Sequence, residues 1–185
     1  MRLFIAIDLD SEARARVARA AEAIVRKSLT SAWKAVDTQR LHFTLKFLGE
    51  VEASRVSALY GAVDGAAACA QFRLRLSGVG AFHSSERARV VWIGVDEGAE
   101  QLRMLASRLD DACAAAGFPR EERPFVPHLT VARPGRRAGF SRVVLLESID
   151  LGWSAVDEIV LYQSELLASG PRYSALHAAR LEVSP

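Results

Sequence analysis

The chain has 185 residues, of which 50% are hydrophobic and 25% are charged, and its formal net charge is +2. This balance excludes a mainly disordered chain, and so small a net charge excludes nucleic-acid binding through a large excess of basic residues. No apolar run approaches the roughly 18 residues of a membrane-spanning helix, and Asp8 and Asp10 interrupt the apolar start too early for a signal peptide. We therefore expect a cytoplasmic protein with no membrane contact.

Hydrophobic periodicity predicts three helices and eight strands along the chain. The helices are predicted at 11–27, 53–68 and 98–116. The strands are predicted at 2–8, 41–48, 72–79, 89–95, 126–132, 143–151, 158–166 and 173–183. Helices and strands do not alternate regularly, and the last strands follow one another directly. The order therefore predicts an α+β fold with mainly antiparallel sheets.

Two segments of the chain repeat one pattern. Residues 42–49 read His-Phe-Thr-Leu-Lys-Phe-Leu-Gly, and residues 128–135 read His-Leu-Thr-Val-Ala-Arg-Pro-Gly. Both begin with His-x-Thr and an apolar residue, and both end with glycine. Their offset of 86 residues (128 − 42) is close to half of the chain. The repeat predicts two pseudo-symmetric lobes, one for each motif.

Both motifs lie in predicted strands, where residues two apart project from the same face. His42 and Thr44 are therefore predicted to project together, with Lys46 next on that face. The same alternation pairs His128 with Thr130. The opposite face of the first strand is predicted to enter the core with Leu41, Phe43, Leu45 and Phe47.

Two imidazoles and two hydroxyls in one cleft suit phosphodiester cleavage without a metal. A neutral histidine can accept a proton from the nucleophile while a protonated one donates to the leaving oxygen, each role contributing about 10²–10⁴-fold in rate. Threonine hydroxyls can hydrogen-bond the nonbridging phosphate oxygens. A metal site is the alternative interpretation, but neither motif contains His-x-His or an adjacent carboxylate.

Segments along nearly the whole chain resemble the 2H phosphoesterase superfamily, specifically its RNA 2′,3′-cyclic phosphodiesterases, also called 2′-5′ RNA ligases. Both motifs are intact, in Leu-His-Phe-Thr-Leu-Lys-Phe-Leu-Gly and in Arg-Pro-Phe-Val-Pro-His-Leu-Thr-Val-Ala-Arg. The matching segments are 2–7, 41–49, 78–82, 123–133, 161–166 and 170–173.

The resemblance implies a single domain over residues 1–185, built of two intertwined α+β lobes with helices outside and a central active-site cleft. It implies hydrolysis of RNA or nucleotide 2′,3′-cyclic phosphate ends to 2′-phosphomonoesters. His42 would be the proton donor and His128 the proton acceptor, while Thr44 and Thr130 would hold the phosphate. No cofactor is expected and a monomer is the default. The family is also credited with reversible 2′-5′ joining of tRNA halves.

Other residues are assigned from their positions beside the motifs. Arg133 is a candidate phosphate ligand, although strict alternation places it on the inward face, so the strand has to twist or end before it. Lys46 is a second candidate phosphate ligand on the face of His42. Arg136 and Arg137 are read as a solvated loop. Further expectations place Tyr162 and Ser164 at the cleft border, His83 and His177 in structural or surface roles, and Trp33 and Trp92 in the core.

Two other functions remain open from the sequence. The first is a module that binds RNA ends and whose hydrolysis of cyclic phosphates is incidental. The second is a phosphodiesterase with the same chemistry that acts on another 2′-5′-linked or cyclic nucleotide.

Overall fold

The computed structural model describes residues 1–29, 32–82, 88–135, 149–168 and 170–183. Within these ranges the chain forms three α-helices and nine β-strands. The helices are α1 (Ser11–Ser28), α2 (Val56–Ala67) and α3 (Ala99–Ala115). The strands are β1 (Arg2–Asp8), β2 (Trp33–Ala35), β3 (His42–Glu50), β4 (Phe72–Phe82), β5 (Val90–Val95), β6 (Leu129–Pro134), β7 (Asp150–Val156), β8 (Glu158–Leu167) and β9 (Gly170–Arg180).

The strands form two antiparallel sheets. The first sheet has the order β3-β1-β8-β9 and the second has the order β2-β6-β5-β4-β7. The predicted α+β class with mainly antiparallel sheets is therefore confirmed. Strand β3, which carries the first motif, lies at the edge of the first sheet. Strand β6, which carries the second motif, lies between β2 and β5 in the other sheet.

The helices connect the two sheets. Helix α1 follows β1 of the first sheet but packs against β2, β6 and β7 of the second, whereas α3 follows β5 of the second sheet and packs against β3 and α2. The side chain of Asp10 caps α1 by accepting a hydrogen bond of 2.8 Å from the Ala13 backbone N–H. Each helix turns a buried apolar stripe inward, including Val17 on α1 and Leu105 on α3. Both sheets consequently share one hydrophobic core.

The three predicted helices and most predicted strands match observed elements within a few residues. Strand β2 was not predicted, because three residues are too few to show alternation. The predicted strand at 143–151 falls mainly on residues outside the described ranges, and β7 occupies Asp150–Val156 instead. Within the described part of the chain, we find no helix that is both long and apolar enough to cross a membrane.

Candidate active site

The two motifs, 86 residues apart in the sequence, meet at one cleft of about 260 Å³. His42 and Thr44 lie on β3, His128 immediately precedes β6, and Thr130 lies within β6. The other side chains lining the cleft are Arg2, Leu3, Phe4, Val36, Arg40, Phe47, Arg133, Ser164, Leu166, Pro171 and Tyr173.

Both imidazoles are held in the same way by the backbone. Nδ1 of His42 lies 2.8 Å from the carbonyl oxygen of Arg40, and Nδ1 of His128 lies 2.8 Å from that of Val126. Because a carbonyl oxygen can only accept, each Nδ1 carries the hydrogen and donates it. Nε2 is therefore the nitrogen left for proton transfer in each ring. In His42 it lies 3.1 Å from the hydroxyl of Thr44.

Aromatic rings pack around each imidazole. The ring of Phe4 stacks on His42 with 5.0 Å between centroids, and Tyr173 meets the His42 ring edge-on at 5.4 Å. Phe82 meets His128 edge-on at 4.7 Å. These contacts fix both rings and remove water from one side of each, which favours the uncharged form of imidazole.

Burial is the main cause that lowers the pKa of both His42 and His128 below the ordinary value of 6.5. The backbone carbonyl bonded to each Nδ1 opposes this shift, and the positive charge of Arg133 adds to it at both rings. The side chain of Arg133 lines the same cleft as both imidazoles. It also gives the cleft a positive charge that suits an anionic phosphate.

The two histidines differ in their charged neighbours. The carboxylate of Asp8, which pairs with His42 across β1 and β3, raises the pKa of His42 and partly offsets the effect of burial. Asp8 in turn accepts a hydrogen bond of 2.5 Å from the Tyr162 hydroxyl and lies 3.4 Å from the guanidinium of Arg14. No acidic side chain among the described residues has a corresponding effect on His128. The charge of Arg14 opposes Asp8 by lowering the pKa of His42, so the two histidines differ in the carboxylate and guanidinium that lie near His42.

A β-bulge in each motif strand reverses the alternation just after the threonine. On β3 the register with β1 skips Leu45, and on β6 the register with β5 skips Val131. The residues three positions after each threonine, Phe47 and Arg133, are therefore turned into the cleft. Arg133 reaches the cleft by this twist, as its predicted role requires. The prediction that Phe47 belongs to the core is wrong, since its side chain is 62% exposed.

The same bulge makes the prediction for Lys46 wrong. Lys46 does not share the face of His42 but is buried on the other side of β3. Its Nζ lies 2.6 Å from Oδ1 of Asp110 on α3 and 2.8 Å from the carbonyl oxygen of Pro119. Its ammonium is held by these two contacts, and Lys46 does not line the cleft that contains the two histidines.

Comparison with known proteins identifies the family. A family model described as the 2′-5′ RNA ligase superfamily matches residues 9–165. The chain belongs to this superfamily. It is 36% identical to the RNA 2′,3′-cyclic phosphodiesterase of Methanothermobacter thermautotrophicus, over 98% of this chain and 99% of the relative. The resemblance seen in the sequence is therefore confirmed.

Solved structures of other proteins share the fold of this superfamily member. A protein of Thermus thermophilus superposes with a TM-score of 0.83 at 32% identity, covering 98% of both chains. Escherichia coli LigT complexed with 3′-AMP superposes with a TM-score of 0.76 at 31% identity, covering 97% of both chains. The likeness extends over both sheets and both motif strands.

Of the remaining residues assigned from the sequence, some lie at the cleft and others lie away from it. Ser164 lines the cleft, whereas Tyr162 packs against Phe4 and bonds to Asp8 behind it. His177 lies away from the cleft with Nε2 2.7 Å from Asp64, as expected for a surface residue. Trp33 is buried, and Trp92 is half-buried near His128. His83, Arg136 and Arg137 lie outside the described residues.

Among the polar side chains that line the cleft, sequence reasoning missed Arg2, Arg40 and Tyr173. Arg40 precedes β3 in a 3-10 turn, where strand alternation gives no signal. Its guanidinium is held 3.3 Å from the carbonyl oxygen of Pro171 and 3.4 Å from the carboxylate of Asp37. Tyr173 is brought to His42 by β9, which is remote in sequence.

Proposed function

We propose that this protein hydrolyses 2′,3′-cyclic phosphates at RNA ends to 2′-phosphomonoesters, with two histidines as acid and base and no required metal. The observation that carries this proposal is the meeting of two His-x-Thr motifs at one cleft with matched backbone bonds to both Nδ1 atoms. One motif alone would supply only half of the proton transfers that ring opening needs.

The charged surroundings support different roles for the two histidines. Asp8 favours the protonated form of His42, so His42 is assigned as the donor to the departing 3′ oxygen. Burial and Arg133 both favour the neutral form of His128, so His128 is assigned as the acceptor that takes a proton from the attacking water. Binding of the anionic phosphate would raise the pKa of both rings and help His42 to keep its proton.

The phosphate is assigned to the hydroxyls of Thr44 and Thr130 and to the guanidinium of Arg133. Hydroxyl and guanidinium donors can bond the nonbridging oxygens, where negative charge grows as the ring opens. The Thr44 hydroxyl, now 3.1 Å from Nε2 of His42, is already next to the atom that transfers the proton.

The relatives support RNA as the substrate class. The relative from Methanothermobacter thermautotrophicus is named an RNA 2′,3′-cyclic phosphodiesterase, and LigT from Escherichia coli has been crystallised with 3′-AMP. We extend this substrate class to the present chain, with tRNA halves as one form of it, acting as a monomer in the cytoplasm. The division into two lobes is also part of the proposal, supported by one motif strand in each sheet.

The test is turnover of adenosine 2′,3′-cyclic phosphate in excess chelator by the wild type and by His42→Ala and His128→Ala. We expect the wild type to form the 2′-phosphate and each variant to lose at least about 10² in kcat. His177→Ala serves as the matched control, because His177 is a partly exposed histidine paired with Asp64 away from the cleft. It should keep wild-type activity.

Other outcomes would contradict particular parts of the proposal. Loss of turnover in chelator would show that a metal is required. Formation of the 3′-phosphate would reverse the assigned leaving group. Absence of turnover together with tight binding of RNA ends would favour the alternative of an RNA-end binding module.

A further inference from the structure

An open groove of about 770 Å³ lies between α1 and the neighbouring strands β4 and β7. It shares no lining residue with the cleft that contains the two histidines. The basic side chains that line it are Arg16 and Arg19 on α1 and Arg73 on β4. None of the three has a part in the proposed hydrolysis, so the function proposed above does not explain this surface.

Two of these three guanidinium groups are held in place by the protein. Arg16 donates from Nε to the carbonyl oxygen of Leu151 at 2.7 Å and from Nη2 to that of Trp153 at 2.6 Å. The guanidinium of Arg73 lies over the indole ring of Trp153, 5.0 Å from its centroid. A guanidinium that stacks on a ring can still direct the N–H groups at its edge to a phosphate. Because both groups are fixed before a ligand arrives, binding costs less side-chain entropy.

The basic surface continues along α1 beyond the groove. At 3.6 residues per turn, Arg26 and Lys27 lie on the same face of the helix as Arg16 and Arg19. We call these four residues the basic stripe, which extends about 16 Å along the helix axis. Attraction to the helix dipole accounts for the two basic residues in the last turn, Arg26 and Lys27, but not for the other two. Arg19, Arg26 and Lys27 are exposed and form no ion pair with any residue that the structure describes.

Acidic side chains neutralise only part of this charge. Asp150, which also lines the groove, is paired with Arg75 at 2.8 Å. Glu12 is paired with Arg16 at 3.7 Å. Glu22 lies at the border of the basic stripe and is exposed. The surface therefore keeps an excess of positive charge, which attracts a polyanion.

The chemistry of the surface favours a chain of phosphates over an anionic membrane. An amphipathic helix that binds a membrane inserts large apolar side chains. Between the basic residues of the stripe, this face of α1 carries only Ala20 and Ala23. The planar fork of arginine, in contrast, matches the oxygens of a phosphate with two hydrogen bonds.

We propose that the basic stripe and Arg73 bind the phosphate backbone of single-stranded RNA, at a surface apart from the cleft. The choice of RNA as the polyanion rests on the function proposed above, whereas the surface itself does not. Contacts to phosphates carry no sequence information, so this binding is independent of the RNA sequence. An RNA held here keeps its own end at a raised local concentration around the protein.

The test measures binding of a fluorescent single-stranded RNA of about 20 nucleotides with a 3′-hydroxyl end, by anisotropy, between about 0.05 and 0.2 M salt. This RNA carries no cyclic phosphate, so turnover does not affect the measurement. The stripe variant combines Arg19→Gln, Arg26→Gln and Lys27→Gln. Each phosphate contact of a single strand contributes about 0.7 to the slope of log K against log salt concentration. We expect the stripe variant to bind at least about tenfold more weakly at the lower salt concentration, with a slope smaller by about 2.

The matched control removes the same charge from other exposed positions. It combines Arg108→Gln, Arg120→Gln and Arg180→Gln, none of which lines the groove or the cleft. We expect it to keep both the affinity and the slope of the wild type.

Equal losses of affinity in the two variants would overturn the inference, because net charge alone would then explain binding. A wild type that hydrolyses adenosine 2′,3′-cyclic phosphate but does not bind the RNA would also overturn it and leave the proposed function standing. Displacement of the RNA by polyglutamate of equal charge, at equal concentration, would overturn the assignment to RNA in favour of an acidic protein. A wild type that binds the RNA through the stripe but leaves the cyclic phosphate intact would overturn the proposed function and support the RNA-binding surface.

Discussion

Replacing Lys46 by methionine tests the corrected position of this residue. The substitution keeps an unbranched side chain of similar length but removes the ammonium that Asp110 and Pro119 share. Since the Lys46 side chain is 2% exposed and that of Asp110 is 19% exposed, solvent replaces little of the lost contact. The change leaves the partly buried carboxylate of Asp110 and the carbonyl of Pro119 without their main donor.

The expected loss of stability follows from this burial. Breaking a buried pair by removing one partner costs about 3–5 kcal/mol. Asp110 keeps two other donors, the Glu121 backbone N–H at 3.1 Å and the Arg120 guanidinium at 3.4 Å. Because Asp110 is also partly exposed, we expect a loss below this range, about 2 kcal/mol. Because Pro119 belongs to the segment leading to His128, kcat for the cyclic phosphate should fall as well.

The pH dependence of this loss has a definite sign. Burial alone would raise the pKa of Asp110, but the hydrogen bond and charge of Lys46, the Glu121 backbone N–H and the charge of Arg120 together outweigh burial, so that the pKa is lowered from 3.8. A carboxyl with a lowered pKa contributes stability above its ordinary pKa and loses it as the pH falls through its folded value. The stability difference between wild type and Lys46→Met should therefore be complete above pH 3.8 and shrink below it.

The assay is urea unfolding of both proteins at neutral and acid pH. We expect the midpoint to fall with an unchanged slope. Arg120→Ala is the matched control, because Arg120 reaches the same carboxylate from an exposed position and should contribute less than about 1 kcal/mol. A loss below about 1 kcal/mol in Lys46→Met would refute the buried pair.

Two further predictions concern the histidines and their support. Burial lowers the pKa of both His42 and His128, and activity needs one ring charged and the other neutral. The bell-shaped pH profile of kcat/KM should therefore peak below pH 6.5. A peak above that pH would contradict the buried environment of the pair. A Cβ at Gly80 would lie 2.0 Å from Cζ2 of Trp92, and the Trp92 ring lies 6.5 Å from the His128 ring. We therefore expect Gly80→Ala to lower the free energy of unfolding, measured in urea, by about 1–3 kcal/mol and to lower kcat. A Cβ at Gly61 in α2 would have no atom within 4 Å, so Gly61→Ala should instead raise the free energy of unfolding by about 0.5–1 kcal/mol. Equal effects of the two changes would show that the clash at Gly80 is absent.

The paired motifs and most elements were predictable because they depend on local physics. Alternation along an extended strand places His42 beside Thr44, and His128 beside Thr130, whatever the rest of the chain does. Helical spacing of apolar residues likewise predicted α1 and α3. The roles of these four residues remain part of the proposal, but their placement on one polar face follows from neighbouring positions alone.

The tertiary structure decided which residues surround those four side chains. A bulge exists only relative to a partner strand, since it is one extra residue in the pairing of β3 with β1 or of β6 with β5. The bulge in β3 places Lys46 beside Asp110 and turns Phe47 into the cleft, and the bulge in β6 turns Arg133 into the cleft. The approach of Tyr173 to His42 depends on β8 and β9 in the same way. Such contacts join residues far apart in sequence, so they are fixed by the packing of the sheets and not by the pattern of any single segment.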